Sequence, residues 1–207
     1  LKESKKINLA NIIKNFKEVL SNVNAMIYIA CLGLLLGALL TFINICQPLY
    51  YNYFEVGTDF PLFFALIASM LGLSSYLNSK YVWQFGAGKL ALTFSFLLMI
   101  WTLLNFTYQI NYFSLNLVLF TIYIMISFSF FGFIFGNLNA LAINPFGHIA
   151  GYASSIIGAV STFVALVVSG SSATFFDGTP NVVVFTLSLC SVLTFTLLFV
   201  QKRFLIP

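Results

Sequence analysis

The sequence predicts an all-α polytopic membrane protein, with six transmembrane helices arranged as two three-helix inverted repeats. Three observations lead there. Only 7% of the 207 residues are charged, against about a quarter in water-soluble domains, so the chain cannot cover a water-facing surface. Six segments each carry about the 20 apolar residues that a helix needs to cross the hydrocarbon. Glycine is concentrated in some of these segments and absent from others, in an order that repeats after the third.

The N-terminal segment, residues 1–24, reads as a linker containing an amphipathic helix. In "INLANIIKNFKEVLSN", Leu9, Ile12, Ile13, Phe16, Val19 and Leu20 recur at helical spacing while Lys14, Lys17 and Glu18 fall elsewhere on the wheel. Such a helix rests on a membrane surface. Leu1–Lys6 is polar, lacks the features of a signal peptide and is not preceded by Met, so the chain reads as a piece of a longer one.

Residues 25–200 form the membrane bundle, with spans Ala25–Ile45, Phe60–Leu77, Leu90–Tyr108, Leu115–Leu141, Gly151–Phe175 and Val182–Val200. Runs such as "LGLLLGALL" are apolar on every face and exclude the alternation of a β-barrel. Residues 201–207 are a short tail. If every span crosses, all nine basic residues lie on one side: Lys2, Lys5, Lys6, Lys14 and Lys17 before the first span, Lys80 and Lys89 between the second and third, Lys202 and Arg203 after the sixth. Glu55, Asp59 and Asp177 lie on the other side. Positive charge stays in the cytoplasm, which places both termini there. The net charge of +4 is thus a topology signal, and no nucleic-acid partner is expected.

Lipid offers no hydrophobic drive between helices, so close packing needs small residues. Gly33 and Gly37 lie in the first span, Gly72 in the second, Gly132 and Gly136 in the fourth, and Gly151, Gly158 and Gly170 in the fifth. The third and sixth have none and are expected outside, the others inside. In the fifth span Gly151, Ser154, Ser155, Gly158, Ser161, Thr162 and Ala165 form a small-residue seam, either a sliding contact or fixed packing. Before it, Pro145 ends the fourth helix, Gly147 permits a tight turn, and His148, with no carboxylate nearby in sequence, reads as an interfacial polar group. Pro145, Gly147, Gly151, Ser154 and Gly158 are the expected hinge and packing residues.

No Asp, Glu, Lys or Arg lies within a span, so no intramembrane proton relay is visible. Catalytic triads, HExxH, Cys/His metal spacings and phosphate loops are absent, and an enzyme, a metal site or a cofactor is not expected. Cys31, Cys46 and Cys190 read as buried packing residues. What remains at depth is amide and aromatic. Asn44, Gln47 and Tyr51 share a face of the first span, loosened by Pro48, while Tyr123, Phe130, Phe133 and Asn137 line one face of the fourth. Amides hydrogen-bond varied solutes and aromatic rings offer apolar and cation-attracting surfaces. These seven residues are the expected substrate-binding set.

"NPFGHIAGYASSIIG" resembles the P-F-G-x-x-A-G-T-A-S-A-L-x-G signature of the bicyclomycin-resistance-type (Bcr/CflA-like) drug antiporters of the major facilitator superfamily. Pro145, Phe146, Gly147, Ala150, Gly151, Ala153, Ser154 and Gly158 match it, and Asn137 takes the family's P-N position with Gly136 in place of proline. "FFDGTP" resembles that family's loop before the last helix, "NSKYVWQFGAGKL" its cytoplasmic loop, and "NFKEVLSN" the opening of its C-terminal half. Tyr152, Ser155, Ser161 and Gln84 depart from the pattern. The resemblance implies the C-terminal six-helix half of a twelve-helix fold in a bacterial inner membrane. Its implied partners are the bilayer, the missing N-terminal half, a small organic substrate and protons, and its implied activity is proton-coupled efflux by alternating access. A nutrient-importing facilitator and a non-transporting scaffold binding partner helices remain alternatives.

Overall fold

The computed structural model describes residues 9–112 and 115–204. Among these all regular structure is helical: α1 Leu9–Ser21, α2 Val23–Pro48, α3 Phe60–Phe85, α4 Ala87–Tyr112, α5 Leu117–Ile143, α6 Ala150–Ala173 and α7 Asn181–Phe204. Lys2, Lys5 and Lys6 lie outside the described residues.

Local chemistry sets the boundaries. Asn22 and Asn116 cap α2 and α5, their side-chain oxygens accepting the Ala25 and Leu119 amides at 2.9 Å. Pro48 is followed by a π-helical turn, Leu49–Tyr53, before the chain reverses. Gly86, at φ +81°, is the whole link between α3 and α4, a conformation that a side chain would strain. A 3₁₀ turn, Asn144–Ile149, joins α5 to α6.

Five continuous helical stretches are long and apolar enough to cross a membrane, and the longest, Leu117–Ala173, has 57 residues. Extended, it would measure about 85 Å, nearly three times a ~30 Å hydrocarbon layer. It does not extend. Tyr50 meets Thr121, and Phe42 meets Phe128, so α5 runs antiparallel to α2. Gly33 faces Val164 and Gly37 faces Val168, so α6 runs parallel to it. The chain therefore doubles back at the 3₁₀ turn, where Phe146 (φ −112°, ψ 32°) and Ile149 (φ −130°, ψ 28°) leave helical geometry. Phe146 is buried and anchors the bend. Gly147 is not in the left-handed region, so the expected glycine turn is instead a proline-initiated turn completed by its neighbours.

The other pairings alternate in the same way. α4 and α5 are antiparallel, with Trp101 Nε1 donating to Tyr123 O at 3.2 Å and Phe94 stacked on Phe133 at 3.9 Å. α4 and α7 are antiparallel through Thr102 and Ser191 (2.7 Å) and through Gln109 and Asn181. α2 and α7 join antiparallel through Gln201 and Asn24 (3.0 Å). α3 and α5 run parallel, joined by Asn78 and Asn137. Six long helices thus alternate in direction. Lys80, Lys89, Lys202 and Arg203 sit at one end of the bundle and Glu55, Asp59 and Asp177 at the other.

Glycine content does not sort these helices as expected. α4 and α7, which have none inside the membrane, pack on each other and on α5 and α2, burying Ser95, Thr102, Ser188, Ser191 and Thr194. Small hydroxylated residues permit the same approach, because their hydroxyls return to backbone carbonyls: Ser95 to Leu92, Ser188 to Val184. α3 and α6 form the outside instead. The expected α6 seam is displaced too. Gly151, Ser154, Ser155, Gly158 and Thr162 are exposed, and the Ser154 and Ser155 hydroxyls donate to Gly151 O. The ridge packed on α2 is Ala153, Ile157, Ser161, Ala165 and Ser169, one residue in four. The close approach itself is made by α2, where a Cβ on Gly33 or Gly37 would stand 2.6 Å from the Cβ of Val164 or Val168.

Candidate functional site

The seven residues expected to bind substrate divide into two groups that face different ways. Asn44, Gln47 and Tyr51 share an exposed flank of α2, toward the acidic end. Asn44 Nδ2 donates to Ser169 Oγ of α6 at 2.9 Å, and Tyr51 is 56% exposed. Tyr50 and Tyr51, adjacent in the π-helical turn after Pro48, face different ways. Tyr50 turns inward into a cluster with Phe54, Phe60, Phe63 and Phe120, its hydroxyl on Thr121 Oγ1 at 3.0 Å.

The α5 group is packed rather than presented. Phe133 and Phe130 lie against Phe94 of α4. Tyr123 is fully buried beside Trp101. Its buried hydroxyl finds no hydrogen-bond partner among the described residues. Asn137 is 2% exposed and its amide donates to Asn78 Oδ1 (2.8 Å) and Phe133 O (2.7 Å). A buried amide must find partners, and Asn137 finds them on α3. These four residues line helix contacts and no shared opening.

The opening lies one face further round α5. A cleft of about 320 Å³ runs between α2, α5 and α6. Leu32 and Leu36 form one wall, Phe135 and Asn139 the second, and Ile157 and Ser161 the third. Gly136 and Gly158 keep it open, since a Cβ on Gly158 would meet nothing within 4 Å and one on Gly136 only Asn78 Nδ2 at 3.7 Å. Asn139 is exposed at the lip, while the Ser161 hydroxyl is occupied by Gly158 O (3.1 Å). The lining has no ionisable group. One free amide, one aromatic ring and an aliphatic floor suit an uncharged or amphipathic small molecule held by a few polar contacts. Asn44 stands eight residues beyond Leu36, about 12 Å along α2, so its group flanks the cleft without lining it. A larger opening of about 650 Å³ lies between α2, α6 and α7. It borders the apolar outer side, and its one amide, Asn181, is engaged by Gln109.

Sequence reasoning missed Asn139 and Phe135. Both sit two residues from a chosen neighbour, a step that changes face on a helix, and α5 is apolar on all sides, so no periodicity marks which face is open. It also missed the partner of His148. Glu18 of α1 pairs with His148 Nε2 at 2.9 Å, the two side chains being 37% and 62% exposed respectively, so the turn between α5 and α6 is tied to the amphipathic helix. At the opposite end, the Asp177 carboxylate accepts the Thr179 hydroxyl (2.6 Å) and backbone amide (3.0 Å). Those hydrogen bonds hold its pKa below the usual 3.8.

Compared with known proteins, the chain matches no family, no curated protein and no solved structure.

Proposed function

We infer that the chain is the C-terminal six-helix half of a facilitator-type transporter that exports small organic compounds by alternating access, coupled to protons. One observation carries the reading. Exchanging α2 with α5, α3 with α6 and α4 with α7 maps the main helix pairings onto one another: α2 on α6 becomes α5 on α3, α2 on α7 becomes α5 on α4, and α2–α5 and α4–α7 map onto themselves. Each exchanged helix runs in the opposite direction, which is the relation of an inverted repeat. In transporters built this way the substrate site lies at the repeat interface, and the α2–α5–α6 cleft is the opening that would serve as that site.

The exposed faces of α3 and α6 flank the cleft and leave room for a second bundle. That bundle would supply the titratable group for coupling, since the helices here contribute no carboxylate at depth. The turn at Asn144–Ile149 would then act as a hinge at the cytoplasmic mouth, in a bacterial inner membrane with both termini cytoplasmic.

The test is drug resistance conferred by the complete reading frame. At equal expression, Asn139→Leu should lower the tolerated concentration severalfold, while Leu104→Ile on the exposed face of α4 should not. Equal resistance of wild type and Asn139→Leu would remove the cleft from the account. Accumulation of the compound that rises when the proton gradient is collapsed distinguishes export from import.

A further inference from the structure

At the basic end of the bundle, away from the α2–α5–α6 cleft, a second cavity of about 230 Å³ opens where α2, α4, α5 and α7 meet. Two lysines border it, Lys89 from the first turn of α4 and Lys202 from the last turn of α7. Below them the walls are Leu92, Leu141 and Leu198. Gln201 also borders the cavity, but its amide is committed to Asn24 O (3.2 Å) and Oδ1 (3.0 Å).

The electrostatics at this end are one-sided. Among the described acidic residues Glu18 is paired with His148, and Glu55, Asp59 and Asp177 are at the far end. No described carboxylate therefore neutralises Lys89 or Lys202. The α4 helix adds to the field. Its Leu90 amide bonds Gly86 O at 3.2 Å, and Gly88, which also borders the cavity, lies within that first turn, where the helix dipole is positive. Lys80, by contrast, lies over the Tyr76 ring at 4.6 Å and outside the cavity.

We propose that this cavity binds the phosphate of an anionic phospholipid headgroup, with Lys89 and Lys202 clamping the charge and the leucine walls receiving the glycerol end of the acyl chains. A free phosphate would satisfy the ammonium groups alone, leaving the apolar walls without a partner. A lipid satisfies both, and it is present where a bundle end meets the membrane surface. The assignment rests on this chain spanning a membrane but not on transport, so a protein that moves no substrate would still bind lipid.

The test is binding of fluorescent phosphatidylglycerol to the purified chain in neutral detergent, with native mass spectrometry of retained lipid. A basic residue near an anionic surface contributes about fivefold in affinity. Lys89→Gln and Lys202→Gln should each weaken binding about fivefold and together about 25-fold. Lys89→Arg/Lys202→Arg and Lys80→Gln should stay within about twofold of wild type, and phosphatidylcholine should compete poorly. Both lysines are exposed and free of structural hydrogen bonds, and monodisperse elution of each variant controls for folding. Unchanged binding in the double glutamine variant would overturn the proposal, as would an equal loss in Lys80→Gln. Inorganic phosphate competing as well as the lipid would overturn the lipid assignment.

Discussion

Replacing Gly37 by alanine should destabilise the bundle although it adds one methyl to a helix. That methyl would stand 2.6 Å from Val168 Cβ, 2.8 Å from its Cγ1 and 3.2 Å from Ala165 Cα. Carbon atoms rest at about 3.5–4.0 Å, so α2 and α6 must part by about 1 Å, and the backbone contact leaves no rotamer escape. Overpacking of this kind costs about 1–3 kcal/mol. Alanine offsets part of that, because glycine in a helix interior is worse by about 1 kcal/mol. Gly158→Ala supplies the control. It makes the same change in the same fold where the new methyl meets nothing, so it should be neutral or stabilising by up to about 1 kcal/mol. Equilibrium unfolding in mixed micelles, read by near-ultraviolet circular dichroism, should separate the two variants by about 1–3 kcal/mol. In a double-mutant cycle, Gly37→Ala and Val168→Gly should couple favourably, because removing Val168 Cβ relieves the 2.6 Å contact. Equal stability of Gly37→Ala and Gly158→Ala, or no coupling between Gly37→Ala and Val168→Gly, would refute the argument that this seam limits how closely the helices pack.

Asn137→Leu should cost about 1–3 kcal/mol, because it strands the amide of Asn78, which is 8% exposed; Asn78→Leu/Asn137→Leu should recover part of this in the same unfolding assay. A double-mutant cycle of Glu18→Gln and His148→Gln should give only about 0.2–1 kcal/mol of coupling, since both groups are solvated, and raised salt should shrink it. Thr179→Val should return the Asp177 pKa toward 3.8, followed by carboxyl carbon NMR. A depressed pKa contributes stability that is present above the ordinary aspartate value and is lost as pH falls through the depressed one, so the Phe175–Pro180 loop should loosen only in acid, and less steeply in the valine variant.

Hydropathy made the long apolar helices legible. All six expected spans fall almost wholly within a helix, and the main discrepancy is length: α3 continues eight residues past Leu77 to Phe85. Those residues include Asn78, Lys80 and Gln84, whose polarity excludes them from hydrocarbon but not from a helix. Charge made the two ends legible. Facing was not legible, because lipid removes the amphipathic signal. Asn137 was recognised as an unusual amide at depth, but only the fold shows that Asn78, fifty-nine residues away, occupies it. Glycine misled for a related reason. Its distribution sorts inner spans from outer ones in the sequence, whereas Thr102, Ser188 and Ser191 join α4 to α7 without it.

The account depends on six crossings and on the 57-residue run turning back at Phe146–Ile149. Single cysteines at Glu55, His148, Asp177 and Lys202, in a chain whose buried Cys31, Cys46 and Cys190 are replaced by alanine, test this with a membrane-impermeant maleimide on intact cells. The prediction is that Glu55→Cys and Asp177→Cys label from outside, whereas His148→Cys and Lys202→Cys label only after permeabilisation. Labelling of His148→Cys together with Asp177→Cys from one side of the membrane would contradict it.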